Sequence, residues 1–433
     1  MTASMPEAGA AVLAPSPRVA SSPKWLFQGA LVATLLVPPA LFAGRAIGDA
    51  LISLIAVAFL IVRLSARDWS WLEAPHIRLS LIFWLWVVIC TLATGTLGAI
   101  GQGAAVVRLF LFAAALETWL LCHPAQRRQL WYVVFAVACW LVLQTWQQYF
   151  FGANIFAAPR WASGVLTGPF FRPRAGVTLQ ALYFPAFLPP AMALLRNRRT
   201  LARLGGALVL IVPMLTMVVI GQRMPMLLLL FGLVLTGLLL PQFRLAIIGG
   251  LIVFALALAL APKISPTTYA TLVVVFLHRM ENFWSTPYAL LYERATVMIA
   301  AHPWLGLGFD GFRNHCNDPQ YFQTLPWLPV THVTDPNACS IHPHNYWLQI
   351  ATSAGIPGLL LFAVLCGQWL VRIGAGVVHG RSTPIQVGLF VAFCVAFWPI
   401  ASTTSLFTLP NAGWIFLTIG WGLAEQRPQG YAP

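Results

Sequence analysis

The chain has 433 residues, of which 59% are apolar and only 8% are charged. Soluble domains carry about 25% charged residues, so this composition excludes a compact soluble protein and predicts an integral membrane protein. The formal net charge of +14 does not indicate nucleic-acid binding, because the basic residues lie mostly between apolar runs and are better explained by orientation in a membrane.

Apolar runs follow one another along most of the chain. Because a helix needs about 20 apolar residues to cross the hydrocarbon layer, we predict an all-α integral membrane protein with about twelve transmembrane helices. The Ala-, Pro- and Ser-rich residues 1–24 are expected to form a disordered tail, and the first run is interpreted as an uncleaved anchor. The runs cover about 25–43, 46–62, 77–95, 100–121, 129–150, 176–195, 202–220, 224–240, 245–261, 345–370, 385–401 and 406–423.

The distribution of positive charge predicts which side each loop occupies. With the N-terminus inside, fifteen Arg and Lys residues fall in inner segments and nine in outer ones, which agrees with the positive-inside rule. Both termini are therefore predicted to be cytoplasmic. The predicted divisions are a tail at 1–24, helices 1–9 over 25–261 with a short periplasmic loop at 151–175, a long periplasmic loop domain at 262–344, helices 10–12 over 345–423 and a tail at 424–433.

The long outer loop contains the residues of most chemical interest, including six of the nine His. Cys316 and Cys339 both lie in it, and an oxidising compartment permits a disulfide between them. We expect this bridge; two unpaired thiols are the alternative. The His and Cys residues lack the paired spacing of zinc ligands, and no Asp-x-Asp sequence occurs, so no metal site is predicted.

The stretch Gly306-Leu-Gly-Phe-Asp-Gly311 matches the G-x-G-x-x-G pattern by letter. A dinucleotide site requires a strand before these glycines and a helix after them. A helical pattern from Leu290 to Ala301 precedes them instead. We therefore interpret the glycines as a tight turn at the membrane surface.

His344 stands where the long loop enters the run at 345. A helix N-terminus favours the neutral form of a nearby His, which is the form that a general base needs. Asn345 is a candidate to orient this ring. The alternative is that Asn345 caps the helix while His344 packs at the membrane interface.

Four arginines near the outer face are candidates for binding phosphate, since a guanidinium is always protonated and can grip two oxygens. The alternative for each is a lipid-headgroup contact or an ion pair. They are Arg172 and Arg174 in the shorter outer loop, Arg223 at the junction of two runs and Arg294 on a helix of the long loop.

Three further charged residues lie near or within the spans. Arg45 and Asp49 are spaced as an i,i+4 pair in the first outer turn, and Asp49 is interpreted as a cap of the second span rather than as a catalytic base. Arg108 lies inside a span, where it either has a function or extends toward the outer surface.

Together these motifs resemble the O-antigen ligases of Gram-negative bacteria, within the wider group of O-antigen ligases and polymerases. The resemblance begins with His344-Asn345, followed by nine residues and Gly355-Ile-Pro-Gly358. Outside residues 171–358 only the twelve-span layout agrees. Similar segments upstream are Phe171-Arg172-Pro-Arg174-Ala-Gly176, Gly221-Gln222-Arg223 with Gln in place of the family's Ser, Glu293-Arg294 and His302-Pro-Trp-Leu-Gly-Leu-Gly308.

The resemblance implies a helical bundle of the lipid-linked glycosyltransferase (GT-C-like) type with a periplasmic loop domain. It also implies transfer of a glycan from undecaprenyl diphosphate to a sugar of the lipid A core, at the periplasmic face of the inner membrane and with inversion at the anomeric carbon. No cofactor is expected. In this scheme His344 is the base, Arg223 and Arg294 hold the diphosphate, and substrate binding involves Arg172, Arg174, Gln222 and Asn345.

Three alternatives stay open at this point. An O-antigen polymerase would use the same lipid carrier, and a ligase that attaches glycan to protein hydroxyls would share the His motif. A polyprenyl-lipid flippase or transporter would place ionisable groups along a midplane path, where this chain offers only Arg108.

Overall fold

The structure, a computed structural model, describes residues 23–264, 266–323, 325, 338–378 and 382–427. Of the tail expected to be disordered over residues 1–24, residues 1–22 lie outside these ranges, whereas Lys24 already belongs to a helix. The described helices are α1 (Lys24–Ala43), α2 (Arg45–Ser65), α3 (Pro75–Thr94), α4 (Leu97–Ala105), α5 (Val107–Ala115), α6 (Pro124–Phe151), α7 (Ala175–Leu195), α8 (Thr200–Ile220), α9 (Arg223–Leu239), α10 (Arg244–Ile264), α11 (Pro266–Tyr269), α12 (Val275–Glu281), α13 (Pro287–Ala301), α14 (Gly311–His315), α15 (Tyr346–Val378), α16 (Pro384–Ala396) and α17 (Asn411–Glu425).

The prediction of an all-helical membrane protein is confirmed across the described residues, which contain no named β-strand. Each of the twelve predicted runs coincides with a helix, and nine helical stretches in the described part are long and apolar enough to cross a membrane. The remaining three runs correspond to α9, α16 and α17, which have 17, 13 and 15 residues. The count of twelve spans therefore stays a prediction.

The glycine-rich stretch at 306–311 forms a tight turn that packs against α15, as interpreted from the sequence. Gly306 and Gly355 both have positive φ, at 64° and 66°. A Cβ on Gly306 would lie 2.6 Å from the carbonyl carbon of Ser353, and one on Gly355 would lie 2.3 Å from the carbonyl oxygen of Trp304. These glycines therefore let two backbones approach closely. This contact docks the described residues between α10 and α15, which we call the outer segment, on the membrane bundle.

Two helices near the C-terminus are shorter than their predicted runs. The run at 385–401 is helical only to Ala396, and the run at 406–423 becomes helical only at Asn411. Pro399 disfavours helical backbone at the residue before it, and residues 401–405 adopt no regular secondary structure. This non-helical connection passes beside the start of α15.

In the part of the chain that the structure describes, the interior contains one large apolar cluster among the membrane helices and one small cluster in the outer segment. The small cluster packs α13 against α14 and the 316–321 stretch. Its buried members include Leu291, Ala295, Met298, Phe312 and Tyr321. The outer segment therefore has a core of its own and presents α13 to the bundle.

Buried ion pairs join helices at the end of the bundle that is predicted to be cytoplasmic. His76 Nε2 lies 2.7 Å from Glu117 Oε2. Arg63 pairs with Asp68, just after its own helix, and also donates from Nη2 to Thr118 O at 2.8 Å. Arg127 Nε lies 3.4 Å from Glu425 Oε2 in α17. The arginines that the charge distribution assigns to the cytoplasmic side therefore also join helix ends to one another.

The expectations for Asp49 are wrong. Because α2 begins at Arg45, Asp49 lies a turn inside the helix and does not cap it. Its Oδ1 accepts a hydrogen bond from Arg108 Nε at 2.7 Å, so its partner is Arg108 rather than Arg45. Packing of α2 against α5 brings together two charges far apart in sequence, which spacing along one helix cannot indicate.

Candidate functional site

His344 is held in one orientation by the non-helical connection before α17. Its backbone carbonyl accepts from Thr403 N at 2.7 Å, and its Nδ1 lies 3.1 Å from Thr403 O. A carbonyl oxygen only accepts, so Nδ1 must carry the hydrogen of this bond. In the neutral ring, Nε2 therefore keeps its lone pair, as a general base requires.

The surroundings favour the neutral form of this ring. Burial lowers the pKa of His344 below its ordinary value of 6.5, and the bond to Thr403 only partly opposes this effect. His344 also has a positive φ of 54°, which is uncommon for a residue other than glycine. Unusual backbone of this kind is found at functional sites more often than elsewhere.

Because Pro343 separates the two residues, the sequence predicts that His342 points away from His344, and this prediction is wrong. The two rings lie side by side, with centroids 4.3 Å apart. Neither ring nitrogen of His342 makes a hydrogen bond of good geometry among the described residues, and the nearby Thr403 backbone only partly opposes the effect of burial on its pKa. Burial, together with the charge of His344, lowers the pKa of His342 to about 4, so at neutral pH it is an uncharged ring packed on His344.

Asn345 joins the start of α15 to the non-helical connection before α17. Its Oδ1 accepts from Leu348 N at 3.1 Å, which caps the helix, and its Nδ2 donates to Pro399 O at 2.7 Å. The side chain is 5% exposed. Asn345 therefore caps α15, as the alternative interpretation of the sequence describes. Its contacts also hold together the two segments that meet at His344 and Thr403.

Tyr288, which sequence reasoning missed, links His344 to Arg223. The Tyr288 ring packs edge-on against the His344 ring, with 5.5 Å between centroids. Tyr288 and Arg279 are also the electrostatic neighbours of Arg223. One turn after Tyr288, Tyr292 bonds to Asn345. The only sequence signal for the contact of α13 with His344 and Asn345 was the i,i+4 spacing of its two tyrosines.

The short arginine segment of the other outer loop lies next to Arg223. Gln222 Nε2 donates to Pro173 O at 2.6 Å, which places residues 172–174 beside the start of α9. Burial lowers the pKa of Arg174, and the nearby charges of Arg45 and Arg172 add to this effect. This hydrogen bond therefore brings Arg172 and Arg174 close to Gln222 and the first residue of α9, and Arg45 lies near Arg174.

Arg294 has a different environment from the other candidate arginines. It is 4% exposed, its Nη1 donates to Cys316 O at 2.5 Å, and its guanidinium lies 4.2 Å from the Phe322 ring centroid. At 100° per residue it lies about 160° around α13 from Tyr292, which contacts Asn345. Arg294 therefore connects α13 to the interior of the outer segment.

Cys316 and Cys339 are bonded to each other, with Cα atoms 5.3 Å apart. The bridge joins the Arg294-binding stretch to the residues that lead into His342 and His344. Among the described residues, no three His, Cys, Asp or Glu side chains cluster as metal ligands.

Residues 206–363 match the family model described as O-antigen ligase. This segment includes α9, the outer segment and the first half of α15, and so contains Arg223, Tyr288, Arg294 and His344. The resemblance found in the sequence motifs is thereby confirmed. No curated protein matches the chain significantly.

Proposed function

We propose that this protein is a metal-independent inverting glycosyltransferase that moves O-antigen polysaccharide from undecaprenyl diphosphate to the lipid A core oligosaccharide. It acts at the periplasmic face of the bacterial inner membrane, with both termini cytoplasmic. The family match supports the broad class of O-antigen ligases and polymerases. The observation that carries the catalytic assignment is the hydrogen bond from His344 Nδ1 to Thr403, which leaves Nε2 free to accept a proton.

The reaction needs one base and one anion-binding group. Tyr288 packs against the base, His344, and is an electrostatic neighbour of the anion-binding Arg223. Nε2 of His344 takes the proton of the acceptor hydroxyl while that oxygen attacks the anomeric carbon of the donor. The bond from this carbon to the diphosphate oxygen breaks on the opposite face, so the configuration inverts. Undecaprenyl diphosphate leaves with the bonding electron pair, and no external energy source is consumed.

Arg223 is the group that binds the departing diphosphate. Arg223 is the first residue of α9, and the side chain of Gln222 does not cap this helix end. The free N–H groups of the first turn therefore add to the positive potential. Arg172 and Arg174 extend the same surface. The guanidinium of Arg223 stabilises the charge that grows on the leaving oxygens, as preorganised donors do in a site shielded from water.

Arg294 takes part in this proposal in a different way from the one expected from sequence. Since its Nη1 donates to Cys316 O and its guanidinium lies over the Phe322 ring, we assign it to positioning α13 and the disulfide-bonded stretch. Its effect on catalysis then passes through Tyr288 and the residues leading to His344, without direct contact with the diphosphate.

The test combines a defined reaction with a cellular comparison. Purified protein in lipid nanodiscs should transfer glycan from the lipid-linked donor to the lipid A core acceptor, and His344→Ala should slow the transfer by about 10²- to 10⁴-fold. Cells without the gene should lose long glycans from lipid A core while carrier-linked long chains persist. Loss of the carrier-linked long chains themselves would point to a polymerase, and unaltered lipid A core glycans would contradict the proposal.

A further inference from the structure

The outer end of α6 and the segment that follows it present aromatic side chains outward. Phe151 is 81% exposed, Phe171 is 67% exposed and Phe156 is 55% exposed. Exposed apolar groups of this size in an irregular segment are unusual on a surface that faces water. The exposed large apolar residues between 150 and 171, which we call the aromatic platform, are Phe150, Phe151, Ile155, Phe156, Trp161 and Phe171.

The polar groups of the same segment point the other way. Gln148 is fully buried, and its Oε1 accepts from Thr167 N and Gly168 N at 2.8 and 3.0 Å. Its Nε2 donates to the carbonyls of Ala158 and Pro159 at 3.2 and 3.1 Å. Buried amide side chains thus satisfy backbone groups that water would otherwise satisfy.

Asn154, which lies within the segment, also satisfies backbone groups with its side chain. Its Oδ1 accepts from Phe156 N and Ala158 N, both at 3.0 Å, and its Nδ2 donates to Gly168 O at 2.7 Å. Non-helical backbone can lie at membrane depth only if its polar groups are satisfied by protein. The segment meets this condition while its outer surface is apolar.

The charges around the platform suit the headgroup layer of a bilayer. No Asp or Glu occurs between Glu117 and Glu281, whereas Arg160 and Arg172 lie within or directly after the platform. The platform also continues the lipid-facing side of α6, where Leu143 is 63% exposed. Aromatic side chains and arginines are the residues typical of the membrane–water interface.

We propose that the aromatic platform is immersed in the outer leaflet of the membrane, with its aromatic rings below the headgroups and Arg160 and Arg172 at the level of the lipid phosphates. The segment is then an interfacial membrane-binding element rather than a loop in the aqueous periplasm. It fixes the neighbouring arginines at the depth where a lipid-bound phosphate would lie. This inference concerns the position of the segment and holds independently of the reaction catalysed.

Spin labels can measure this depth directly. Cysteines are introduced singly at Phe156 and Phe171, after Ala replacement of the partly exposed Cys122, Cys139 and Cys394. The protein is placed in nanodiscs of phosphatidylethanolamine and phosphatidylglycerol. Matched controls are Leu143→Cys on the lipid-facing side of α6 and Gln320→Cys on the exposed polar surface of the outer segment.

We expect the ratio of oxygen to nickel-complex collision rates at both platform positions to approach that of Leu143 and to exceed that of Gln320. A ratio equal to that of Gln320 at both positions would overturn the proposal. Protection from both reagents, with dipolar broadening between labels of two molecules, would also overturn it, because a second copy of the chain would then cover the platform. The two positions report independently, so failure of one variant to fold leaves the other as the test.

Discussion

Replacement of His344 by alanine should slow glycosyl transfer by about 10²- to 10⁴-fold, the range that a positioned general base contributes. This corresponds to roughly 3–5 kcal/mol of activation free energy. Since burial holds the pKa of His344 below 6.5, at least about nine-tenths of the wild-type rings are neutral at pH 7.5. The wild-type rate at this pH therefore reports nearly the full contribution of the base, and donor affinity should change little.

The pH profile tests the same assignment independently of mutation. Protonated His344 cannot accept the acceptor's proton, so the transfer rate should be nearly flat above about pH 7.5, at least a unit above the lowered pKa of this ring. Below the lowered pKa it should fall about tenfold per pH unit. The assay is single-turnover transfer on purified protein with saturating donor, together with a separate measurement of donor binding.

The informative control is His342, whose ring centroid lies 4.3 Å from that of His344. His342→Phe keeps an aromatic ring but removes both nitrogens, so it should retain transfer within about tenfold of wild type if His342 only packs. Two results would refute the reasoning: wild-type transfer by His344→Ala, or loss of transfer in a folded His342→Phe variant to the same extent as in His344→Ala.

Four further outcomes are expected. Arg223→Lys keeps the charge but loses the planar grip, so donor affinity should weaken on the order of tenfold in binding titrations; unchanged affinity would exclude a two-point contact. Replacing both Cys316 and Cys339 by Ser should destabilise the outer segment by about 3 kcal/mol in denaturant unfolding, because the bridge closes a loop with a sequence separation of 23 residues. Free alkylation of both thiols in the unreduced wild type would contradict the bridge. Because the pKa of His342 drops from 6.5 to about 4 on folding, the unfolded state binds more protons as the pH falls below 6.5, and this ring alone should cost the wild type about 2 kcal/mol of stability by pH 5. His342→Phe should lack this contribution and keep only the loss caused by other buried groups such as His344. Transfer should persist in excess chelator, and its disappearance with recovery on adding Mg²⁺ would contradict metal independence.

The broad character of the protein follows from the sequence because it depends on local properties. Apolar runs of about 20 residues suffice to predict membrane helices, and every predicted run coincides with a helix in the structure. The position of His344 at a loop–helix junction is equally local. The ends of α16 and α17 were less predictable, since an apolar run such as 385–401 does not reveal where the backbone leaves the helix.

The arrangement of the site was decided by contacts between distant parts of the chain. His344 and Thr403 are 59 residues apart, and Asp49 and Arg108 are also 59 apart. Periodicity describes which side of a helix is apolar, but it holds no information on which other helix packs there. The placement of Tyr288 beside His344 likewise required the outer segment to dock on α15.

Arg294 illustrates the physical reason for this division. From sequence, an arginine on an outer helix is suited to bind phosphate, because the chemistry of a guanidinium is the same wherever it occurs. In the structure, the rotation of α13 directs this side chain to Cys316 and Phe322, while Tyr288 and Tyr292 contact the residues around His344. The sequence determined the available chemistry, and tertiary packing decided which groups meet, because packing fixes the rotation of each helix about its own axis.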